Sequence, residues 1–137
     1  MGIQAFPKSY FADICALEPM TVGAFHEGEL ISAHIWFRHG NHAYSHLAAS
    51  NEKGYKLRGS YAVYDFSIAY LRDQGVKIID LGGGAGNEAS AGLTFLKKGF
   101  SNDSVMCYLN GKILDEEKYA QLSVDKPNTY FPAYRAP

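Results

Sequence analysis

Between Thr21 and Ser50 the chain reads TVGAFHEGELISAHIWFRHGNHAYSHLAAS, rich in β-branched and aromatic residues and punctuated by Glu27-Gly28 and Gly40-Asn41. This pattern predicts a three-strand antiparallel meander. A two-residue loop at Gly40-Asn41 would place Phe37 opposite Tyr44 and Ile35 opposite His46. Ile31, Ala33, Ile35, Phe37, Tyr44 and His46 then share one face, and His34, Trp36 and Arg38 take the other. Ahead of the meander, Lys8 to Leu17 carries Phe11, Ile14 and Cys15 in helical spacing and stops near Pro19. Behind it, SNEKGYKLRGS reads as a polar loop. SYAVYDFSIAYLRDQG then sets Ala62, Phe66, Ala69 and Tyr70 on one helical face, with Ser60 as N-cap and Gly75 as the C′ residue. Val76 to Leu81 is a short apolar strand. A strand, loop, helix and strand of this length make a right-handed crossover, so the last meander strand and this one are expected to be parallel. Ala89 to Lys98 reads as a second helix closed by Gly99, SVMCYL as another strand, and DEEKYAQL as a terminal helical turn or two. The fold class expected is α/β, an α+β mixed sheet made of an antiparallel meander and a βαβ crossover.

The 137 residues are the length of one domain, expected over 1–122 and followed by a Pro/Tyr-rich tail over 123–137 that is extended or disordered. Lys plus Arg number 13 and Asp plus Glu 14, so no global field advertises nucleic acid or an anionic membrane, and any phosphate binding must be local. Cys15 and Cys107 lack the spacing of a metal site or a disulfide framework and are expected in the core. The opening MGIQAFPKSYF has no cationic and apolar leader pattern, and no apolar run is long enough to span a bilayer, which reads as cytoplasmic. His26, His39 and His42 fall at turns without a carboxylate or Cys at ligand spacing, so no metal is expected. Serine and cysteine nucleophiles lack a partner, which leaves hydrolase chemistry unsupported.

KIIDLGGGAGNEAS, Lys77 to Ser90, looks like the nucleotide-binding turn of an S-adenosylmethionine-dependent methyltransferase. That fold needs several further βα units after its glycine motif, and a meander is the wrong segment before it. Gly82, Gly83, Gly84 and Gly86 fit better as a bend where the backbone passes close to a neighbour.

The run of a strand ending HLAAS, a basic loop, a helix ending DQG, then IIDLGGG and GLTFLKKGFS resembles the second acyltransferase domain of the FemAB family. The resemblance extends from Tyr10 to Leu122. Its most specific parts are Asp80-Leu81-Gly82-Gly83 and Leu96-Lys97-Lys98-Gly99-Phe100. Family members show Phe-Lys-x-Gly-Phe-Gly at the second site, so Lys97, Gly99 and Phe100 match while Leu96 and Ser101 depart. The resemblance implies a GNAT-like acyltransferase fold whose opening strand and helix are not evident here. It also implies a role in moving acyl or aminoacyl groups onto an amine, with acyl-CoA or acetyl-CoA preferred as donor and aminoacyl-tRNA the alternative.

In that fold the donor's pyrophosphate lies at the loop before the crossover helix, which here offers Lys56, Arg58, Gly59 and Ser60. The physics favours an anion at a helix N-terminus, although the full Arg/Gln-x-x-Gly-x-Gly/Ala signature is absent, and a solvated basic loop capped by Ser60 is the competing reading. The resemblance puts the Lys97 ammonium near the acyl group, as an oxyanion stabiliser; a structural Lys97 would complement the end of its helix. His34, His46 and Asp80 are the titratable candidates for taking the acceptor's proton. The register sends the two histidines to opposite faces, so they are not expected to form a dyad. Asp80 could instead cap Gly83 or Gly84 amides. The partner expected is a small-molecule amine, with no membrane, and an unpaired sheet edge favours a homo-oligomer. A non-catalytic module that uses this fold for oligomerisation or partner binding, with the Tyr-rich tail as docking arm, is the alternative from another class.

Overall fold

Four strands form one mixed sheet in the order in which they occur along the chain. The computed structural model describes residues 6–83, 91–108, 110–127 and 129–136. The chain divides into two compact units, Met1–Ser104 and Val105–Pro137. In the first, α1 (Lys8–Cys15) leads into β1 (Met20–His26), β2 (Glu29–His39) and β3 (His42–Ser50). Then come α2 (Glu52–Lys56), α3 (Gly59–Asp73), β4 (Ile78–Asp80) and α4 (Ala91–Phe100). β1–β2 and β2–β3 are antiparallel and β3–β4 is parallel, so the expected meander and crossover both form.

The register matches expectation at Phe37↔Tyr44 and departs one step later. Trp36 pairs with Ser45 and Ile35 with Leu47, so His46, expected opposite Ile35, is the extra residue of a β-bulge. His46 nevertheless stays on the face of Phe37, away from His34: its ring lies 5.2 Å from that of Phe37, while His34 packs at 4.6 Å against Tyr64 of α3.

Helix α3 covers the His34 face. Its line of contact is Gly59, Val63, Ser67 and Leu71, at spacing i, i+4, with Tyr64 beside it. The apolar face expected from sequence, Ala62, Phe66, Ala69 and Tyr70, is turned away, and Phe66 and Tyr70 stack on each other in solvent. Close approach sets this phase. A Cβ on Gly59 would lie 2.9 Å from the Ser32 Cβ, so the glycine is what lets the helix start against β2. The start is also two residues earlier than expected, with Arg58, not Ser60, at the N-cap. At the other end Gly75 takes φ +82° as expected. The Gly75 N–H donates to Arg72 O at 2.9 Å and the Val76 N–H to Leu71 O at 3.0 Å, a Schellman closure. The core between sheet and helix consists of Trp36, Ala43, Tyr64, Leu71, Val76 and Leu81, with Leu96 and Phe100 of α4 packed against it.

Three further expectations change. The polar loop after β3 contains α2, because Asn51 accepts the Gly54 N–H at 2.8 Å and caps a helical turn. Gly99 lies inside α4 and does not close it. Cys15 and Cys107 are exposed, since the inward position of α1 is taken by Ile14 and Cys107 sits among exposed neighbours.

In the second unit, residues 105–108 form no strand, and Val105, Met106 and Tyr108 are largely exposed. α5 (Glu116–Leu122) is capped by Asp115, which accepts the Lys118 N–H at 2.8 Å. The Tyr119 ring meets Phe131 and Tyr134, and its hydroxyl accepts the Ala133 N–H at 2.8 Å.

Candidate functional site

The parallel ladder between β3 and β4 is three residues long, His42↔Ile78, Ala43↔Ile79 and Tyr44↔Asp80. β3 continues to Ser50 against β2, and among the described residues its other edge has no ladder partner beyond Tyr44. Asp80 stops the short strand: its Oδ1 accepts the Gly82 N–H at 2.7 Å, in an Asx turn that Gly82 completes at φ +72°. The cap falls on Gly82, one residue nearer than the glycine amides expected. Gly84 and Gly86 lie outside the described residues.

Beside the C-terminal end of β3 a groove of about 630 Å³ opens. Ala48, Ala49 and Ser50 of β3 and Gly54 and Tyr55 of α2 form one wall, Arg58 at the N-cap of α3 with its Ser60, Tyr61 and Tyr64 the second, and Gly92, Leu93 and Leu96 of α4 the third. The groove reaches the start of α3, which no side chain caps. Arg58 sits there in the left-handed region at φ +56°, its guanidinium 5.9 Å from the centre of the Tyr61 ring. Uncapped amides, a helix dipole and a guanidinium combine into a positive end on an otherwise apolar channel.

The four loop residues expected at a phosphate site therefore separate. Arg58 and Ser60 line the groove. Gly59 is buried against Ser32. Lys56 is exposed and donates to Glu52 at 2.7 Å. Ser60, expected as a cap, points its hydroxyl inward, 3.0 Å from Ser50 Oγ, 3.3 Å from Ser32 Oγ and 3.2 Å from His34 Nε2. His34 is fully buried, and loss of hydration pushes its pKa down to about 4, so it is neutral. Its Nδ1 is buried without a partner. An orphaned N–H costs more than an orphaned lone pair, which assigns the ring proton to Nε2. The network then runs one way, from His34 to Ser60, Ser50 and Ser32, and ends on Ala49 O, which accepts from Ser32 at 3.2 Å.

Lys97 of α4 reaches the Asx turn. Its Nζ donates to Gly82 O at 3.1 Å and Gly83 O at 3.3 Å. Partial burial pulls its pKa below the usual lysine value, and the carboxylate of Asp80 opposes that shift. The structure thus brings Asp80 and Lys97 together at one turn. His46, on the other face of β3, has its Nε2 2.8 Å from the hydroxyl of Tyr10 on α1. Among the described residues no three His, Cys, Asp or Glu side chains gather as a metal site, and no helix is long and apolar enough to cross a membrane.

Sequence reasoning missed Ser50, Tyr64 and Tyr10. Ser50 was reachable, since it is the cross-strand partner of Ser32. Burial raises the pKa of the Tyr64 hydroxyl, which lies 3.5 Å from Ser45 Oγ. The phase of α3 that turns Tyr64 inward depends on Gly59 meeting a strand far away in sequence. Tyr10 carries no local signal at all.

A family model described as an acetyltransferase (GNAT) domain matches residues 12–89. A search among curated proteins gives no match. The matched region is more than half of the 137 residues and takes in the meander, the crossover helix and the parallel pair. The chain belongs to the GNAT acetyltransferase domain family.

Proposed function

We propose that the protein transfers an acyl group from acyl-CoA to an amine acceptor, with the donor's arm in the groove beside the end of β3. The observation that carries this reading is a largely apolar channel beside the end of β3 that leads to the uncapped start of α3, where among the described residues the edge of β3 beyond Tyr44 has no ladder partner. A strand edge offers unpaired N–H and C=O groups to an amide-bearing arm. Arg58 and the first amides of α3 suit the donor's phosphates. The slight net negative charge favours this donor over aminoacyl-tRNA.

The chemistry is direct attack. The amine nitrogen forms a C–N bond to the thioester carbonyl carbon, the C–S bond breaks with its electron pair going to sulfur, and the proton lost by the amine balances the thiolate as free thiol. Lys97 has three N–H bonds and gives two to glycine carbonyls, which leaves one for a developing oxyanion. Asp80 holds the turn and supports the charge on Lys97. His46 is the proton acceptor in this scheme. A FemAB-like specialisation is supported by the meeting of its two motif segments, since Lys97 of the second bonds Gly82 and Gly83 of the first.

Release of free thiol from acetyl-CoA, with L-lysine as a generic primary amine, tests the scheme. Lys97→Ala should lower kcat by about 10²-fold or more while the acetyl-CoA KM stays within about twofold. Unchanged turnover in that variant would remove Lys97 from the mechanism.

A further inference from the structure

The bulge in β3 and the docking of α1 bring two residues of distant sequence together. His46 lies two positions beyond Tyr44, the last residue of β3 paired with β4, so it borders the opened edge on the side of the sheet away from the groove. Tyr10 Oη lies 2.8 Å from His46 Nε2. Tyr10 is itself clamped: Phe6 stacks on it at 4.4 Å and Phe11 meets it edge-on at 5.6 Å. The His46 ring is held between Phe37 at 5.2 Å and Tyr44 at 6.1 Å. Its Nδ1 makes no hydrogen bond among the described residues, and the residue is only partly buried, which leaves this nitrogen the open one of the ring.

We infer that Tyr10 is a positioning residue for acyl transfer: its hydroxyl oxygen accepts the Nε2–H of His46 and leaves Nδ1 as the bare lone pair that receives the acceptor's proton. The inference rests on the acyl-transfer reading for its chemistry and on this juxtaposition for its geometry. A neutral imidazole carries one N–H. If Tyr10 donated to Nε2, the proton would sit on Nδ1 and the open nitrogen could not act as a base. If Nε2–H donates to Tyr10, the open nitrogen is the acceptor. The resulting imidazolium keeps its Nε2–H on the Tyr10 oxygen, so no partner changes during the step. The tyrosine proton remains free to meet solvent, because Tyr10 is also only partly buried. The role corresponds to that of any group that fixes a catalytic histidine's tautomer through its second nitrogen.

Two measurements on the full chain decide it. Nitrogen-15 NMR of the His46 ring, assigned with His46→Gln, should show the Nε2–H form in the wild type and a mixture of tautomers in Tyr10→Phe. Thiol release from acetyl-CoA with L-lysine should show kcat about tenfold lower in Tyr10→Phe, with the acetyl-CoA KM unchanged. An Nδ1–H ring in the wild type overturns the inference whatever the turnover. So does a Tyr10→Phe variant whose tautomer changes while kcat does not. A wild type that neither binds nor turns over acetyl-CoA overturns the donor reading instead, and the ring spectrum still decides the Tyr10–His46 pairing.

Discussion

His34 is buried with no charge beside it, and its consequences for stability can be worked out with sign. Its folded pKa is lowered from 6.5 to about 4, so below pH 6.5 the unfolded chain binds a proton that the folded chain refuses. Stability from this group is complete above pH 6.5 and is lost as pH falls toward about 4. Urea unfolding at pH 7 and pH 5 should differ by about 2 kcal/mol, and His34→Gln should flatten the difference. A wild-type profile with no such slope would mean that His34 is solvated or paired. Lys97 behaves oppositely in sequence and in space: its motif singled it out, yet only the structure shows two of its N–H bonds spent on Gly82 and Gly83. Asp80 was legible for the same reason, as a strand-ending acid before glycines. Ser60 was legible as a helix-start residue and wrong in detail, because its hydroxyl is drawn inward by Ser32, Ser50 and His34, none of which is local.

Among the elements, α2 and α3 depend on glycines for reasons of space. A Cβ on Gly54 would collide with the Ile31 carbonyl oxygen, a backbone atom that has no room to move aside. Gly54→Ala should therefore destabilise by more than about 2 kcal/mol, seen as a lower urea midpoint at unchanged slope. Gly59→Ala meets the Ser32 Cβ at 2.9 Å and should cost about 1–3 kcal/mol and widen the start of the groove. If Gly59→Ala were as stable as wild type, the close docking of α3 on β2 would be wrong. The strands were legible because turn residues and alternation agree locally at Glu27-Gly28 and Gly40-Asn41. The phase of α3 was not: Ala62, Phe66, Ala69 and Tyr70 make a plausible apolar face, and tertiary contact at Gly59 overrode it. The bulge at His46 likewise left no mark in composition, since nothing within β3 says where its partner strand will slip.

At the scale of the molecule, the meander, the crossover and the family match over residues 12–89 agree, and the groove lies between the end of β3 and helices α3 and α4. With a net charge of −1 no global field draws an anion in, so the proposed acyl-CoA affinity rests on the groove itself and on Arg58 at its positive end. Acyl-CoA binding in this groove is the proposal on which the transfer scheme depends, and calorimetric titration with acetyl-CoA reads it without an acceptor present. The account predicts saturable binding to the wild type, weakened about fivefold or more by Arg58→Ala, and no binding of S-adenosylmethionine. Absence of heat with acetyl-CoA, or binding indifferent to Arg58, would contradict it.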